Sequence, residues 1–124
     1  LVCANDVGRA INPMAVEGQI EGGAQMGLGY ALTEELIVKE GRVMNPDFLD
    51  YRLFTSADMP QIESIIIETD DPQGPFGAKG VGEMGGTPTA AAIANAIHDA
   101  TGVWLTQLPM TPERVLRALE EAKK

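Results

Sequence analysis

The chain has 124 residues, enough for one domain with a modest core. Its formal charge of −9 excludes a nucleic-acid surface, which needs a basic stripe, and argues against docking on anionic lipid. Cys3 is the single cysteine, so there is no disulfide framework and no cysteine metal site, and no apolar run approaches transmembrane length.

The opening "LVCANDVGR" has neither an initiator Met nor the charged and apolar regions of a signal peptide. The expectation is a cytoplasmic protein from which an internal cut has released this piece. "LVCA" reads as a short buried strand ended by Asn5-Asp6. From about Met14 to Leu32 the spacing becomes helical, with Val16, Ile20, Ala24, Gly27-Leu28 and Ala31 recurring every three or four residues. This helix carries Gly18, Gly22, Gly23, Gly27 and Gly29, each costing roughly 1 kcal/mol against Ala. Either the helix packs closely on a neighbour, or a face of it presses on a ligand. Gln19, Gly22, Gly23 and Met26 share one face by their i, i+3, i+4, i+7 spacing.

"ELIVKEGRVMN" reads as a hairpin turning at Glu40-Gly41. The loop-rich "PDFLDYRLFTSADMP" follows, with Phe48, Leu49, Leu53 and Phe54 as expected anchors. "IESIIIET" is the strongest strand signal, rich in β-branched Ile and bounded by Pro60 and Asp70-Asp71, the latter a solvated turn. After the glycine-rich "DPQGPFGAKGVGEMGG", Thr87 and Pro88 read as N-cap and first residue of a helix that closes at Gly102. Thr111-Pro112 repeats the start signal for a last helix with a Val115, Leu116 and Leu119 stripe. There is no internal repeat and no linker. The whole is an α+β chain of mixed strands with two or three helices. Cys3 reads as a small core residue, His98 as structural or exposed, and Trp104 as a packing anchor.

The stretch "GAKGVGE", Gly77 to Glu83, places one carboxylate among three glycines. Backbone amides in such a loop can host an anion or an oxo group, and a nearby helix start favours negative charge. A carboxylate there can accept a proton from a bound hydroxyl within about 3 Å. The plain alternative is a structural turn carrying a solvated Glu83. The spacing is not that of a P-loop, although a phosphate-binding loop that Gly80→Ala would weaken is a further alternative.

"DVGRAINPMAVEGQIEGGAQMGLGYALTEEL" followed by "GPFGAKGVGEMGGTPTAAAIANAI" resembles the C-terminal part of the molybdenum-cofactor-binding subunit of the xanthine dehydrogenase/aldehyde oxidase family. The resemblance covers nearly the whole chain, with both blocks in order, and makes residues 1–124 a C-terminal fragment of a molybdopterin-binding domain. It implies a molybdenum hydroxylase, an oxidoreductase that hydroxylates an N-heterocycle or aldehyde carbon with oxygen from water. Glu83 matches the family's general base on the molybdenum-bound hydroxyl. Gln19 matches the glutamine that hydrogen-bonds the pterin, Gln25 sits in the same block, and Lys79, Gly80, Val81 and Gly82 match the loop delivering the glutamate. No residue of this chain is expected to ligate the metal directly. Arg9 could form a salt bridge or meet a cofactor phosphate. The implied partners are the remainder of the molybdenum subunit, iron-sulfur and FAD-bearing subunits or domains, and a purine, N-heterocycle or aldehyde substrate. The fragment alone is expected to be inactive and to self-associate. A binding or regulatory domain that kept the fold without the chemistry is the rival.

Overall fold

A computed structural model describes residues 1–123. In chain order the elements are β1 (Val2–Asp6), α1 (Pro13–Leu32), β2 (Val38–Lys39), β3 (Arg42–Val43), β4 (Glu63–Ile67), α2 (Thr89–Thr101) and α3 (Pro112–Glu121). This is the expected α+β content. Two compact units are formed, one from residues 1–27 and 59–88, the other from residues 28–58 and 89 onward.

In the first unit β1 and β4 pair in parallel, Val2 opposite Glu63 and Asp6 opposite Ile67. Alternation along both strands turns Cys3 and Ile66 toward a core of Val7, Val16 and Ile20. Cys3 is thus the small packing residue expected. The other face leaves Val2, Ile65 and Ile67 exposed, so "LVCA" is half-covered instead of buried. The sheet has two strands.

Asn12 caps α1, its Oδ1 accepting the Ala15 N–H at 3.2 Å, and Pro13 occupies the first helical position. The stripe read from the sequence is the buried one, because Val16, Ile20, Ala24, Leu28 and Ala31 are all nearly or fully inaccessible. Gly23 explains part of the helix's glycine content. A Cβ there would lie 2.9 Å from the Gly86 nitrogen, and one on Gly85 would lie 2.5 Å from the Ile20 carbonyl oxygen. The helix and the turn after Glu83 therefore meet backbone to backbone.

In the second unit the hairpin forms as read, with Glu40 and Gly41 both at positive φ, 49° and 76°. Its base is closed by buried Asn45, which accepts the Ile37 N–H at 2.9 Å and donates to the Glu35 carbonyl at 2.6 Å. Thr111 caps α3 by accepting the Arg114 N–H at 3.4 Å. The Arg114 guanidinium reaches both Glu35 carboxylate oxygens at 2.7 and 3.0 Å and the Pro109 carbonyl at 2.8 Å.

Several expectations for this region are corrected. Phe48 and Leu49 are not buried anchors, being 80% and 81% exposed, and Leu53 is exposed as well. With Ile97, Val115 and Leu116 they line an open groove of about 1040 Å³, so the α3 stripe is also only half-covered. Hydrophobicity specified that these side chains seek cover, not that this unit supplies it. Trp104 is 60% exposed and stacks on His98, ring centroids 3.9 Å apart, which makes His98 a stacking partner. Helix α2 begins at Thr89, after a turn spanning 84–88, so Thr87 and Pro88 precede the first helical turn.

Candidate functional site

The site lies in the first unit, on the loop after β4 and on the N-terminal half of α1. After a 3-10 turn at Pro75–Gly77 the chain forms an isolated bridge, Gly8 to Ala78. The Arg9 N–H donates to the Gly77 carbonyl at 2.8 Å, and the Lys79 N–H donates to the Val7 carbonyl at 2.9 Å. Gly8 sits at φ 63°, and a Cβ there would lie 2.4 Å from the Gly77 oxygen, so this junction requires glycine. The loop then runs free through Gly80 and rejoins the core at Val81 and Met84, both packed against the Val7, Val16 and Ile20 cluster.

Gln19 reaches across from α1. Its Nε2 donates to the Gly82 carbonyl at 3.1 Å, which ties the helix amide to the residue before Glu83. Glu83 is exposed, and its carbonyl accepts the Gly86 N–H at 3.0 Å, closing the turn that follows. Arg9, Asn12, Gln19, Lys79 and Val81 line a small cleft of about 190 Å³.

The glycines divide into two groups. Gly23, Gly85 and Gly86 are in backbone contact, whereas a Cβ added at Gly18, Gly22, Gly80 or Gly82 would meet no atom within 4 Å. Smooth, Cβ-free backbone thus borders open space on both sides of the Gln19–Gly82 bond.

The fold accordingly brings Gln19, Lys79, Val81, Gly82 and Glu83 together. Gln25 lies six residues further along α1, about 120° around the axis from Gln19, in a half-buried position. The Lys79 ammonium is engaged within the protein, 2.7 Å from Asp6 Oδ2 and 3.0 Å from Thr69 Oγ1. Arg9 is exposed at the cleft. Sequence reading missed Asp6, which it took as a strand terminator. Lys79 and Thr69 hold its carboxyl well below the usual carboxylate range. Among the described residues no group of three or more His, Cys, Asp or Glu could hold a metal ion, and no helix is long and apolar enough to cross a membrane.

A glycine-smooth surface flanked by an amide and an exposed carboxylate leaves room for a bulky polar group. The family description of the molybdopterin cofactor-binding domain matches residues 1–60, which include α1 and Gln19 but not the loop carrying Glu83. The chain is 48% identical over 113 residues to the xanthine dehydrogenase molybdenum-binding subunit of Escherichia coli, which aligns with 90% of this chain and 15% of that protein. It is 41% identical over 125 residues to the 6-hydroxypseudooxynicotine dehydrogenase complex subunit gamma of Paenarthrobacter nicotinovorans, covering 98% of this chain and 16% of that subunit. Quinoline 2-oxidoreductase from Pseudomonas putida 86 superposes with a TM-score of 0.89 at 36% identity, over 97% of this chain and 16% of that one. The aldehyde oxidoreductase from Desulfovibrio gigas gives 0.87, also at 36%, over 96% of this chain and 13% of that one. The chain belongs to the xanthine dehydrogenase/aldehyde oxidoreductase family of molybdenum-binding subunits, and it spans 12% to 16% of the length of the relatives it matches.

Proposed function

We propose that Glu83 is the general base of a molybdenum hydroxylase, and that this chain works as the C-terminal segment of a much longer molybdopterin-binding subunit. The observation that carries this is the Gln19 Nε2 bond to the Gly82 carbonyl at 3.1 Å, beside an exposed Glu83 and glycines facing open space. When bound, the molybdenum–pterin group supplies an oxygen derived from water and accepts two electrons from the substrate carbon. The chain's own residues do the rest. Glu83 takes a proton on its carboxylate during attack on the carbon of an N-heterocycle or aldehyde. An exposed carboxylate suits this, since a metal makes bound water far more acidic and the base need not be strong.

Gln19 offers its amide to the pterin while holding Gly82. Gly80, Val81 and Gly82 give the cofactor a close backbone approach, and Lys79 fixes the start of that loop. Gln25, on the same helix, is the weaker candidate for contact with the cofactor. Iron-sulfur clusters and FAD in partner subunits or domains would supply the onward electron transfer. A cytoplasmic location and a purine, N-heterocycle or aldehyde substrate go with this reading. The relatives' names support it, as they include xanthine dehydrogenase and aldehyde oxidoreductase subunits.

The test uses paired variants of the full-length subunit. Gln19→Ala should lower pterin retention, measured as molybdenum per subunit. Glu83→Gln should leave that ratio unchanged while removing turnover. Wild-type turnover in Glu83→Gln would end the proposal.

A further inference from the structure

The loop carrying Glu83 is fastened at two places, and the upstream fastening is a side-chain cluster in which Lys79 is joined by Asp6 and Thr69, two residues given no role above. Asp6 ends β1. Its Oδ1 accepts the backbone N–H groups of Gly8 at 3.0 Å and Thr69 at 3.3 Å. Its Oδ2 accepts the Thr69 hydroxyl and, at 2.7 Å, the Lys79 ammonium. Lys79 Nζ also lies 3.0 Å from Thr69 Oγ1. One carboxylate thereby joins the segment after β1, the segment after β4 and the start of the glycine-rich loop.

An isolated ion pair this exposed would contribute little, since both side chains are about a third accessible. Four converging hydrogen bonds from three segments are a different case, because each partner restricts the geometry of the others. The downstream fastening is the contact of Gly85 and Gly86 with the α1 backbone at Ile20 and Gly23. Residues 80–83 span the interval between the two, touching the core through Val81 and α1 through Gln19. If the upstream end is released, the remaining slack falls on the stretch that ends at Glu83.

We propose that Asp6, Lys79 and Thr69 form a latch that sets the position of Glu83, acting as positioning residues and touching neither substrate nor cofactor. This rests on the reading of Glu83 as the base. A displacement on the order of 1 Å at a reacting group can cost roughly 100-fold in rate, and here the backbone bonds at Val7 and Gly77 survive side-chain substitution, so a smaller loss is expected.

The experiment compares Asp6→Asn, Lys79→Met, Thr69→Val and Lys79→Arg in the full-length subunit within its complex, alongside Glu83→Gln. Molybdenum content, kcat, KM and amide exchange across residues 77–86 are measured on the same preparations. Asp6→Asn and Lys79→Met should each lower kcat about tenfold with KM changed less than about twofold. Molybdenum content should stay at the wild-type level, and exchange in residues 78–84 should accelerate. Lys79→Arg, which can still pair with Asp6, should restore most of kcat. The double variant Asp6→Asn with Lys79→Met should fall no further than either single one, because both remove the same contact.

Thr69→Val, the mildest change, keeps the question open to refutation if the others fold poorly. Unaltered exchange and kcat in all latch variants, with Glu83→Gln inactive, would overturn the latch and leave the base standing. Molybdenum lost in proportion to kcat would also overturn it, by making the cluster merely structural. Wild-type turnover in Glu83→Gln would instead remove the base, and accelerated exchange would then still establish the latch as a loop anchor.

Discussion

The backbone contact between α1 and the turn after Glu83 makes opposite predictions for two kinds of glycine. A Cβ on Gly85 would stand 2.5 Å from the Ile20 oxygen and 3.2 Å from the Ala24 nitrogen. Both are backbone atoms of a helix and neither can move aside as a side-chain tip would. Overpacking of this kind costs roughly 1–3 kcal/mol, and an approach this close points to the upper part of that range. Reduced freedom of the unfolded chain returns about 0.4–1 kcal/mol. Gly85→Ala should therefore lose about 2 kcal/mol net. Gly18→Ala should do the reverse, because its Cβ would meet nothing within 4 Å and the helix interior gains about 1 kcal/mol on replacing Gly by Ala. For a chain of this size about 1 kcal/mol moves the melting temperature by roughly 3–6 °C. Thermal melts followed by circular dichroism should show Gly85→Ala several degrees below the parent and Gly18→Ala a few degrees above it. Shifts of the same sign would refute the division of the glycines into contact and open groups.

Other consequences concern charge and exposed surface. Asp6 is held well below its ordinary carboxylate value by Lys79 and Thr69, so its contribution is fully present above the unfolded value and is lost as pH falls toward the depressed one. Stability measured from neutral pH into the acid limb should fall less steeply in Asp6→Asn than in the parent. Arg114→Lys should lose about 0.5–1 kcal/mol in denaturant unfolding, since an ammonium cannot span both Glu35 oxygens and the Pro109 carbonyl at once. Phe48→Ser with Leu49→Ser should leave stability within about 0.5 kcal/mol, both side chains being exposed, while reducing concentration-dependent self-association seen by sedimentation.

Elements governed by local rules were legible in the chain. The α1 stripe of Val16, Ile20, Ala24, Leu28 and Ala31 follows from helical period alone, and Thr111-Pro112 marks the start of α3 by its capping chemistry. The Glu40-Gly41 turn is equally local. Non-local features were not legible. Asp6 joins residues 63 and 73 positions away, Thr69 and Lys79, and no spacing rule reports such a meeting. The parallel pairing of β1 with β4 is of the same kind. Phe48 and Leu49 show the limit from the other side, since composition states that they are apolar but not what covers them. The family resemblance singles out Gln19 and Glu83 separately, and their meeting through Gly82 comes from the structure. Spacing could group Gln19 with Gly22 and Gly23 on a helix face, but could not identify the carbonyl of Gly82 as its partner.

The central claim is that the Glu83 carboxylate removes a proton in the chemical step. The most direct measurement is the rate of substrate-driven reduction in a single turnover, at saturating substrate, for full-length Glu83→Gln matched to the parent in molybdenum content. Replacing a general base by a neutral isostere should slow this step by about 100- to 10,000-fold. A rate within a few-fold of the parent, at equal molybdenum content, would contradict the account.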